Sequence, residues 1–279
     1  MNVRMINITS IIASNRMRFQ YISDIHLELW PAADPKHPKR DDFYRNILKP
    51  EAHTLILAGD ICSKTCGDRL EPFLTYCSDN WRHVIYVAGN HEYYTIAMNM
   101  EQVDQWLHEL CSKFLNVHYL NCEELHFDER HVILGCTLWS EIDPTVPSSL
   151  LKQMNDFRRI LVNGQILTPD VYNELHYSQS KWLIETVQKR LEEGKKVYVV
   201  THHLPTYLLI DKRFDGDPIN CCYASEVARK MRLGPHAWFY GHTHSESVQH
   251  YNGTVYYINA LGYPGEKKTA PVQHVTDHC

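Results

Sequence analysis

Short apolar runs, several of them followed at once by polar residues, restrict the fold of this chain more than any other feature of its sequence. Seven such runs, rich in β-branched and aromatic residues, lie at 18–23, 53–59, 83–89, 131–139, 196–201, 237–241 and 254–260. Runs of this length and composition are typical of buried β-strands. The sequence therefore predicts a protein built around buried sheets, with polar groups collected where strands end.

Helical patterns lie between several of these runs. Apolar residues recur at helical spacing over 100–115 and 170–193, and 224–233 is a third helix candidate. We expect Thr168 to cap the second helix, with Pro169 at its first helical position. Strands that alternate with helices predict an α/β architecture in which helices cover the sheets.

The chain shows no clear linker, so we predict a single domain over 17–279. Residues 1–16 contain two arginines and no acidic residue. We interpret them as a flexible N-terminal extension, with a mitochondrial targeting segment as the alternative. The irregular stretches 140–165 and 204–222 are predicted to be long loops, which tend to be functional in a compact domain.

Charge and cysteine content argue against several classes of protein. The formal net charge is −5, so the chain offers no overall basic field to attract nucleic acid or an anionic membrane surface. The nine cysteines include no CxxC pair. This pattern is typical of reduced thiols in an intracellular compartment, and we predict a cytoplasmic protein. No apolar run reaches the roughly 18 residues that cross a bilayer, and no feature specifies an oligomeric state.

Five of the apolar runs are followed by side chains that can bind metal ions. These side chains are Asp24 and His26, Asp60, Asn90 and His91, His202 and His203, and His242 and His244. Each set alone is explained equally well by a turn or a helix cap. Ligands of open α/β sheets, however, usually bind at the carboxyl ends of the strands. The occurrence of all five sets at strand ends therefore predicts a metal centre.

The donors are sufficient for two metal ions. One ion would take Asp24, His26, Asp60 and His244, and the other would take Asp60, Asn90, His202 and His242. Asp60 is shared because a carboxylate has two oxygens and can bridge. Imidazole, carboxylate and amide donors together favour Mn, Fe or Zn over Ca. We expect Gly241 to supply the backbone freedom that directs the two following histidines to different metals.

These motifs resemble those of the calcineurin-like metallophosphoesterase superfamily. The family pattern is present as "DIH", "GD", "GNHE", "THH" and "GHTH", and the resemblance covers about 17–265. Stretches such as "MNDF" and "NALGYPGE" resemble a branch of small metallophosphoesterases. The resemblance implies an α/β fold, a β-sandwich of two mixed sheets flanked by helices (αββα), with the active site at the carboxyl ends of the strands. It also implies hydrolysis of a small phosphoester by attack of a metal-bridging hydroxide.

The resemblance also implies roles for individual residues. It makes His202 the ligand of the "THH" pair and His91 the catalytic residue, which stabilises the transition state or protonates the leaving oxygen. Candidates for contact with the substrate or for support of the ligands are His203, Asp156 and Asn220. Glu28 and Glu92 are expected to orient ligands or to hold loops.

One departure from the family bears on the substrate. Protein phosphatases of this superfamily carry GDxxDR, whose arginine holds phosphate, whereas "GDICSKT" places Ser63 and Lys64 at the Asp and Arg positions, so that this arginine is absent. Protein phosphatase activity is therefore a disfavoured alternative, and the balance moves slightly toward phosphodiesters. Arg158 or Arg159 could supply the missing charge. A non-catalytic scaffold of this fold is a further alternative, although scaffolds lack catalytic residues that are present here.

Overall fold

Two β-sheets packed face to face form the centre of the protein. The computed structural model describes residues 4–5, 17–266 and 275–278. Its strands are β1 (Arg4–Met5), β2 (Met17–Ile22), β3 (Thr54–Ala58), β4 (His83–Val87), β5 (Val117–Tyr119), β6 (Glu123–His126), β7 (His131–Gly135), β8 (Leu161–Val162), β9 (Gln165–Ile166), β10 (Lys196–Val200), β11 (Ala237–Phe239), β12 (Glu246–Tyr251), β13 (Thr254–Asn259) and β14 (Val275–His278).

Both large sheets are mixed. The larger has the order β1-β6-β7-β10-β11-β13-β12 and the smaller the order β14-β2-β3-β4-β5, while β8 and β9 pair separately. Strands β7, β10, β11 and β13 run parallel, as do β2 to β5 in the smaller sheet. Strands β6, β12 and β14 run antiparallel to a neighbour. The parallel strands fix a common carboxyl edge, where connections between the layers emerge.

Aromatic side chains fill the space between the sheets. Phe19 and Tyr21 of β2 are two residues apart and therefore share the inner face of their sheet. The ring of Phe19 lies 4.9 Å from Tyr198 and 5.4 Å from Phe239, both on the larger sheet. The ring of Tyr21 lies 5.3 Å from Tyr257. This aromatic layer holds the two carboxyl edges side by side.

Helices cover the outer faces of both sheets. They are α1 (Arg40–Ile47), α2 (Leu70–Asn80), α3 (Met100–Cys111), α4 (Ser148–Leu151), α5 (Asp156–Arg159), α6 (Pro169–Glu192) and α7 (Val227–Lys230). Phe73 of α2 and Leu107 of α3 are buried with the outer side chains of the smaller sheet. Leu183 and Val187 of α6 are buried with those of the larger sheet. The predicted αββα arrangement is therefore confirmed.

Two of the three predicted helices are confirmed, and the third is much shorter than expected. The side chain of Thr168 accepts a hydrogen bond from the Val171 amide, as predicted for the N-cap of α6. The candidate over 224–233 is helical only in α7. Its beginning is lost because Ala224 and Ser225 pair with Leu204 instead, a long-range contact that helical periodicity does not report.

The two predicted loops contain only short elements. Helices α4 and α5 lie within 140–165, and the hairpin β8–β9 ends one residue beyond it, at Ile166. The stretch 204–222 holds three single turns of 3₁₀ helix, at Tyr207–Leu209, Lys212–Phe214 and Pro218–Cys222. Neither loop adds a layer to the sandwich, so both are free to cover the edge where the strands end.

The expected N-terminal extension, 1–16, lies outside the described residues except for β1, which pairs with β6. The single domain over 17–279 remains a prediction. None of the described helices combines the length and the apolar character needed to cross a bilayer. Within the described part of the chain, the cysteines carry free thiols.

Candidate metal centre

The expected ligands meet at one edge of the sandwich, where parallel strands of both sheets end. The smaller sheet contributes Asp24, His26, Asp60 and Asn90, and the larger contributes His202, His242 and His244. All of them are buried except His244, which is partly exposed. The carboxyl ends of neighbouring parallel strands share an edge, so donors that are far apart in sequence converge here.

Five of these residues have a left-handed backbone. The φ angles are 52° at Asp24, 50° at His26, 54° at Asp60, 75° at His242 and 46° at His244. This conformation costs a residue other than glycine about 1–3 kcal/mol and often marks functional sites. The left-handed conformation occurs at both residues of the pair Asp24 and His26 and of the pair His242 and His244. It bends the chain so that both side chains of a pair reach the centre.

Gly241 acts differently from the sequence expectation. Its φ is not positive, so it is not the pivot that directs His242 and His244. A Cβ at this position would lie 2.7 Å from the carbonyl oxygen of Ala58 and 2.9 Å from a carboxylate oxygen of Asp24. Glycine is therefore required for close approach of the two sheets, and the two histidines supply the turn themselves.

The first donor group consists of Asp24, His26 and His244. The Nε2 atoms of the two histidines lie 3.0 Å apart, and Nε2 of His244 lies 3.6 Å from Asp24 Oδ1. Each histidine has a carboxylate at its other nitrogen: Glu28 at 3.4 Å from His26 Nδ1, and Glu266 at 2.7 Å from His244 Nδ1. These carboxylates hold the Nδ1 protons and leave both Nε2 atoms as acceptors.

The second donor group consists of Asp60, Asn90, His202 and His242. Nε2 of His202 lies 3.1 Å from Asn90 Oδ1, 3.1 Å from His242 Nδ1 and 3.4 Å from Asp60 Oδ1. The Nδ1 of His202 donates to the carbonyl oxygen of Ala58 at 3.0 Å. His202 therefore presents an unprotonated Nε2 to this group in its neutral form.

Asp60 lies between the two groups. Its Oδ1 faces His202, while its Oδ2 lies 3.8 Å from His26 Nε2 and 3.9 Å from His91 Nε2. Burial opposes the charge on Asp60, but His202, His91 and His26 hold the pKa of its carboxyl well below the usual range. An ionised, two-sided carboxylate is the group that a shared metal ligand requires.

The geometry of the first donor group indicates whether a metal ion fits at this position. Two Nε2 atoms that both carry lone pairs repel each other at 3.0 Å unless a proton or a cation lies between or beside them. His26 and His244 are held in that position by their carboxylate partners. Together with the ionised Asp60, the arrangement fits cations bound by nitrogen and oxygen donors.

His91 lies at the wall of the site and is paired with Glu28. Its Nδ1 is 3.0 Å from Glu28 Oε1, and its Nε2 is 3.4 Å from the hydroxyl of Tyr263. Burial acts to lower the pKa of His91, but the carboxylates of Asp60 and Glu28 raise it to about 9. A cation bound nearby would act in the opposite direction.

Asp156, a candidate from the sequence, orients Asn90. Its Oδ1 accepts hydrogen bonds from the Asn90 amide at 2.9 Å and from the Tyr94 hydroxyl at 2.6 Å. Because the Asn90 nitrogen is engaged, its oxygen is directed at His202. Asp156 is fully buried, which places it behind Asn90.

Glu92 ties two strand ends together, as expected from the sequence. Its carboxylate accepts hydrogen bonds from the amides of Gly89, Asp60, Ile61 and Cys62, at 2.7 to 3.3 Å, and from the Tyr86 hydroxyl. Burial and the nearby Asp60 raise the pKa of Glu92 to about 7. The backbone that carries Asp60 is therefore fixed by a side chain from the next strand end.

The other two candidates also lie near the centre, but neither is directed at it. His203 is fully buried, with its ring 4.3 Å from that of His242 and its Nε2 3.2 Å from the Tyr172 hydroxyl. Asn220 lines the adjoining cavity, yet its amide donates to the carbonyl oxygen of Phe214 at 2.7 Å. His203 thus supports a donor from behind, and Asn220 holds a loop.

A cavity of about 530 Å³ opens beside the two donor groups and His91. Residues that the sequence did not single out also line it, including Leu150, Met154, Phe214, Ile219, Tyr223 and Tyr263. Except for Tyr223, they belong to segments that the sequence did point to: the two predicted loops and the stretch "NALGYPGE".

The arginine that lines the cavity is not one of the two that the sequence suggests. Arg69 donates to the carbonyl oxygens of residues 27, 28 and 30 and is thereby used in holding a loop. The guanidinium of Arg159 lies over the Tyr94 ring, 5.9 Å from its centroid. Among the described residues, the arginine that lines the cavity is Arg213, not Arg158 or Arg159.

Known proteins resemble this chain in sequence and in fold. A family model described as calcineurin-like phosphoesterase matches residues 17–246. Uncharacterized protein L509 of Acanthamoeba polyphaga mimivirus is 28% identical over 265 residues, covering 89% of this chain and 92% of that protein. The structure of phosphopantetheinyl hydrolase (PptH) from Mycobacterium tuberculosis matches with a TM-score of 0.64 and 18% identity, covering 93% of this chain and 96% of that one. A dimetal phosphatase from Danio rerio matches with a TM-score of 0.54 and 14% identity, covering 88% and 87%.

Proposed function

Because this chain belongs to the calcineurin-like phosphoesterase family, we propose that it is a metal-dependent phosphoric ester hydrolase that acts on a phosphodiester or a small phosphomonoester. The observation that carries this proposal is the position of Asp60, whose two carboxylate oxygens face the two donor groups. The names phosphopantetheinyl hydrolase and dimetal phosphatase, given to two structures of similar fold, support the same class of reaction.

The donors are suited to two metal ions. One would be held by Asp24, His26, Asp60 and His244, and the other by Asp60, Asn90, His202 and His242. Such mixed donors suit Mn, Fe or Zn. When bound, ions of this kind supply an activated water and stabilise negative charge on phosphoryl oxygens.

His91 is the proposed catalytic residue. Its Nδ1 is occupied by Glu28, so its Nε2 is on the cavity side. A proton carried on Nε2 can pass to the leaving oxygen or form a hydrogen bond with a phosphoryl oxygen, and Glu28 stabilises the charged ring. Tyr263 limits the space at this nitrogen, because its hydroxyl lies 3.4 Å away.

Replacement of Asp60 tests the proposal. The wild type, reconstituted with Mn²⁺, is expected to hydrolyse bis(p-nitrophenyl) phosphate or p-nitrophenyl phosphate. Asp60→Ala should lose bound metal by elemental analysis and lose more than about 100-fold in turnover, since even residues behind a ligand contribute about 10–100-fold.

Asp42→Ala is the matched control, because that aspartate is exposed on α1. It should keep both metal and turnover. Normal hydrolysis by Asp60→Ala, or a metal-loaded wild type that hydrolyses neither ester, would contradict the proposal. The second result would point instead to a non-catalytic scaffold.

A further inference from the structure

The cavity beside the donor groups is larger than a phosphoryl group needs. Its volume of about 530 Å³ falls in the range of about 300–1,000 Å³ that is typical of sites for whole small molecules. Donor residues and His91 form one part of its lining. The rest comes mainly from the predicted loops 140–165 and 204–222, so these loops face the organic group of a bound ester.

We propose that this organic group is uncharged and largely apolar, and that it is held between the two loops. The inference rests on the proposed hydrolase function and names the class of its substrate: an ester with one phosphate and an aromatic or aliphatic group. Five of the ten loop residues in the lining carry apolar side chains, and both loops contribute them. They are Leu150 and Met154 from one loop and Ile210, Phe214 and Ile219 from the other.

Phe214 is the most exposed of these apolar side chains, at 43%. A large apolar side chain that faces a cavity gains free energy when an apolar ligand covers it. Ile219 lies in the same loop and is also partly exposed. Ile219 is therefore available to a ligand, as is the part of the Phe214 ring that the Arg213 guanidinium, 4.7 Å from the ring centroid, does not cover.

The loop is anchored to the metal-donor residues. The ring of Tyr223 stacks on that of His242, with centroids 4.6 Å apart and planes at 30°. From the same turn, the Asn220 amide donates to the carbonyl oxygen of Phe214 at 2.7 Å. Phe214 is thus positioned relative to the reacting end, which a specificity-determining residue requires.

The charges of the lining do not match a polyanion. Arg213 is the one arginine or lysine in the described lining, and it faces Asp211 at 3.4 Å. The lining also contains the carboxylates of Asp217 and Glu266. Metal ions would neutralise one phosphate, but a second phosphate or a nucleic acid strand would find few cations. An uncharged organic group fits this balance better.

Binding of paired phosphonates to the Mn²⁺-reconstituted protein tests the proposal without turnover. Titration calorimetry would compare methylphosphonate, phenylphosphonate and 4-carboxyphenylphosphonate, which share the phosphoryl end. We expect phenylphosphonate to bind about 10-fold more tightly than methylphosphonate. The added carboxylate should weaken binding. Equal affinities of phenyl and methyl, or tightest binding of the carboxylated ring, would overturn the proposal.

Variants of the loop identify the residues responsible. Phe214→Ala should remove most of the preference for phenylphosphonate and leave methylphosphonate unchanged, and Ile219→Ala should reduce it less. Leu208→Ala is the matched control, because Leu208 is exposed in the same loop and is not part of the described lining. An undiminished preference in both cavity variants would also overturn the proposal.

Turnover separates this proposal from the one on which it rests. Wild type that hydrolyses p-nitrophenyl esters but shows no phenyl preference contradicts only the substrate class. Metal-loaded wild type without hydrolysis contradicts the hydrolase function itself, whatever its preference among phosphonates.

Discussion

The metal-donor part and the loop part of the cavity are built in opposite ways. Donors such as Asp24 and His202 are fully buried at strand ends, whereas Phe214 and Arg213 are exposed on a loop. The donors are fixed by long-range hydrogen bonds, and the loop depends largely on local ones. A substitution at the strand ends would therefore disturb many contacts, whereas the loop residues that we propose to recognise the substrate can change at little cost.

Hydrogen bonds show the contrast directly. Glu92 binds backbone amides about thirty positions away in sequence, so any change there disturbs the strand end that carries Asp60. In the loop, Asp211 accepts from the Arg213 amide and Asp217 accepts from the Ile219 amide, each at 3.0 Å. Turns capped by their own aspartates are held mainly by local hydrogen bonds, and the link to the donor groups is made at the end of the loop by Tyr223.

Of the two parts of the cavity, the metal-donor part should show the greatest loss of activity, and we expect it at His91. His91→Ala should keep its metal content but lose turnover of every ester by about 10²–10⁴-fold, because a positioned acid or hydrogen-bond donor is removed. Stopped assays with several esters, together with elemental analysis, check this result. His250→Ala, on the exposed face of β12, is the control. A loss confined to one ester would place His91 with the recognition residues.

Asp156 should give an intermediate effect. Asp156→Ala frees the Asn90 amide to rotate, and we expect metal affinity or turnover to fall by about 10–100-fold. Asp156→Asn keeps an oxygen at the position that accepts from Asn90 and Tyr94, so it should lose less. Metal titration of both variants measures the difference. Equal losses would show that the charge of Asp156, rather than its orienting oxygen, is what matters.

The smallest effect is expected at Arg213, whose side chain is 63% exposed. Arg213→Ala should raise KM for an anionic ester by about 2- to 5-fold and leave kcat unchanged, because exposed charges contribute little. The difference should shrink at high salt, where screening is strong. A fall in kcat that salt does not affect would contradict the division of roles between the two parts of the cavity. A loop residue would then act on the chemical step.

The clustering of the proposed donors could be predicted from the sequence because its signals are local. Strand patterns located the carboxyl ends, and the residues that follow them are the ones the structure brings together around Asp60. The N-cap at Thr168 was equally local. The beginning of the 224–233 helix was predicted wrongly because Ala224 pairs with a residue twenty positions away.

The role of Gly241 and the cavity residues of the loop 204–222 follow no sequence pattern from which they could be predicted. The predicted role of Gly241 was wrong for two reasons. Amino-acid composition does not reveal a left-handed backbone at histidine. The close approach of the two sheets at Gly241 depends on tertiary structure. Phe214 and Arg213 belong to a loop without periodicity. The loop is predicted to be functional, but the choice among its side chains depends on how its turns fold.

Each donor group draws on both sheets, since His244 of the larger sheet meets Asp24 and His26 of the smaller, and His202 and His242 meet Asp60. A bound ion would therefore add a link between two sheets that already meet at this edge, through backbone hydrogen bonds of Ser23 with Asn259 and Leu261. Removal of the ions should then loosen the edge without separating the sheets, so the metal-free protein is expected to keep its fold and to unfold at a lower temperature.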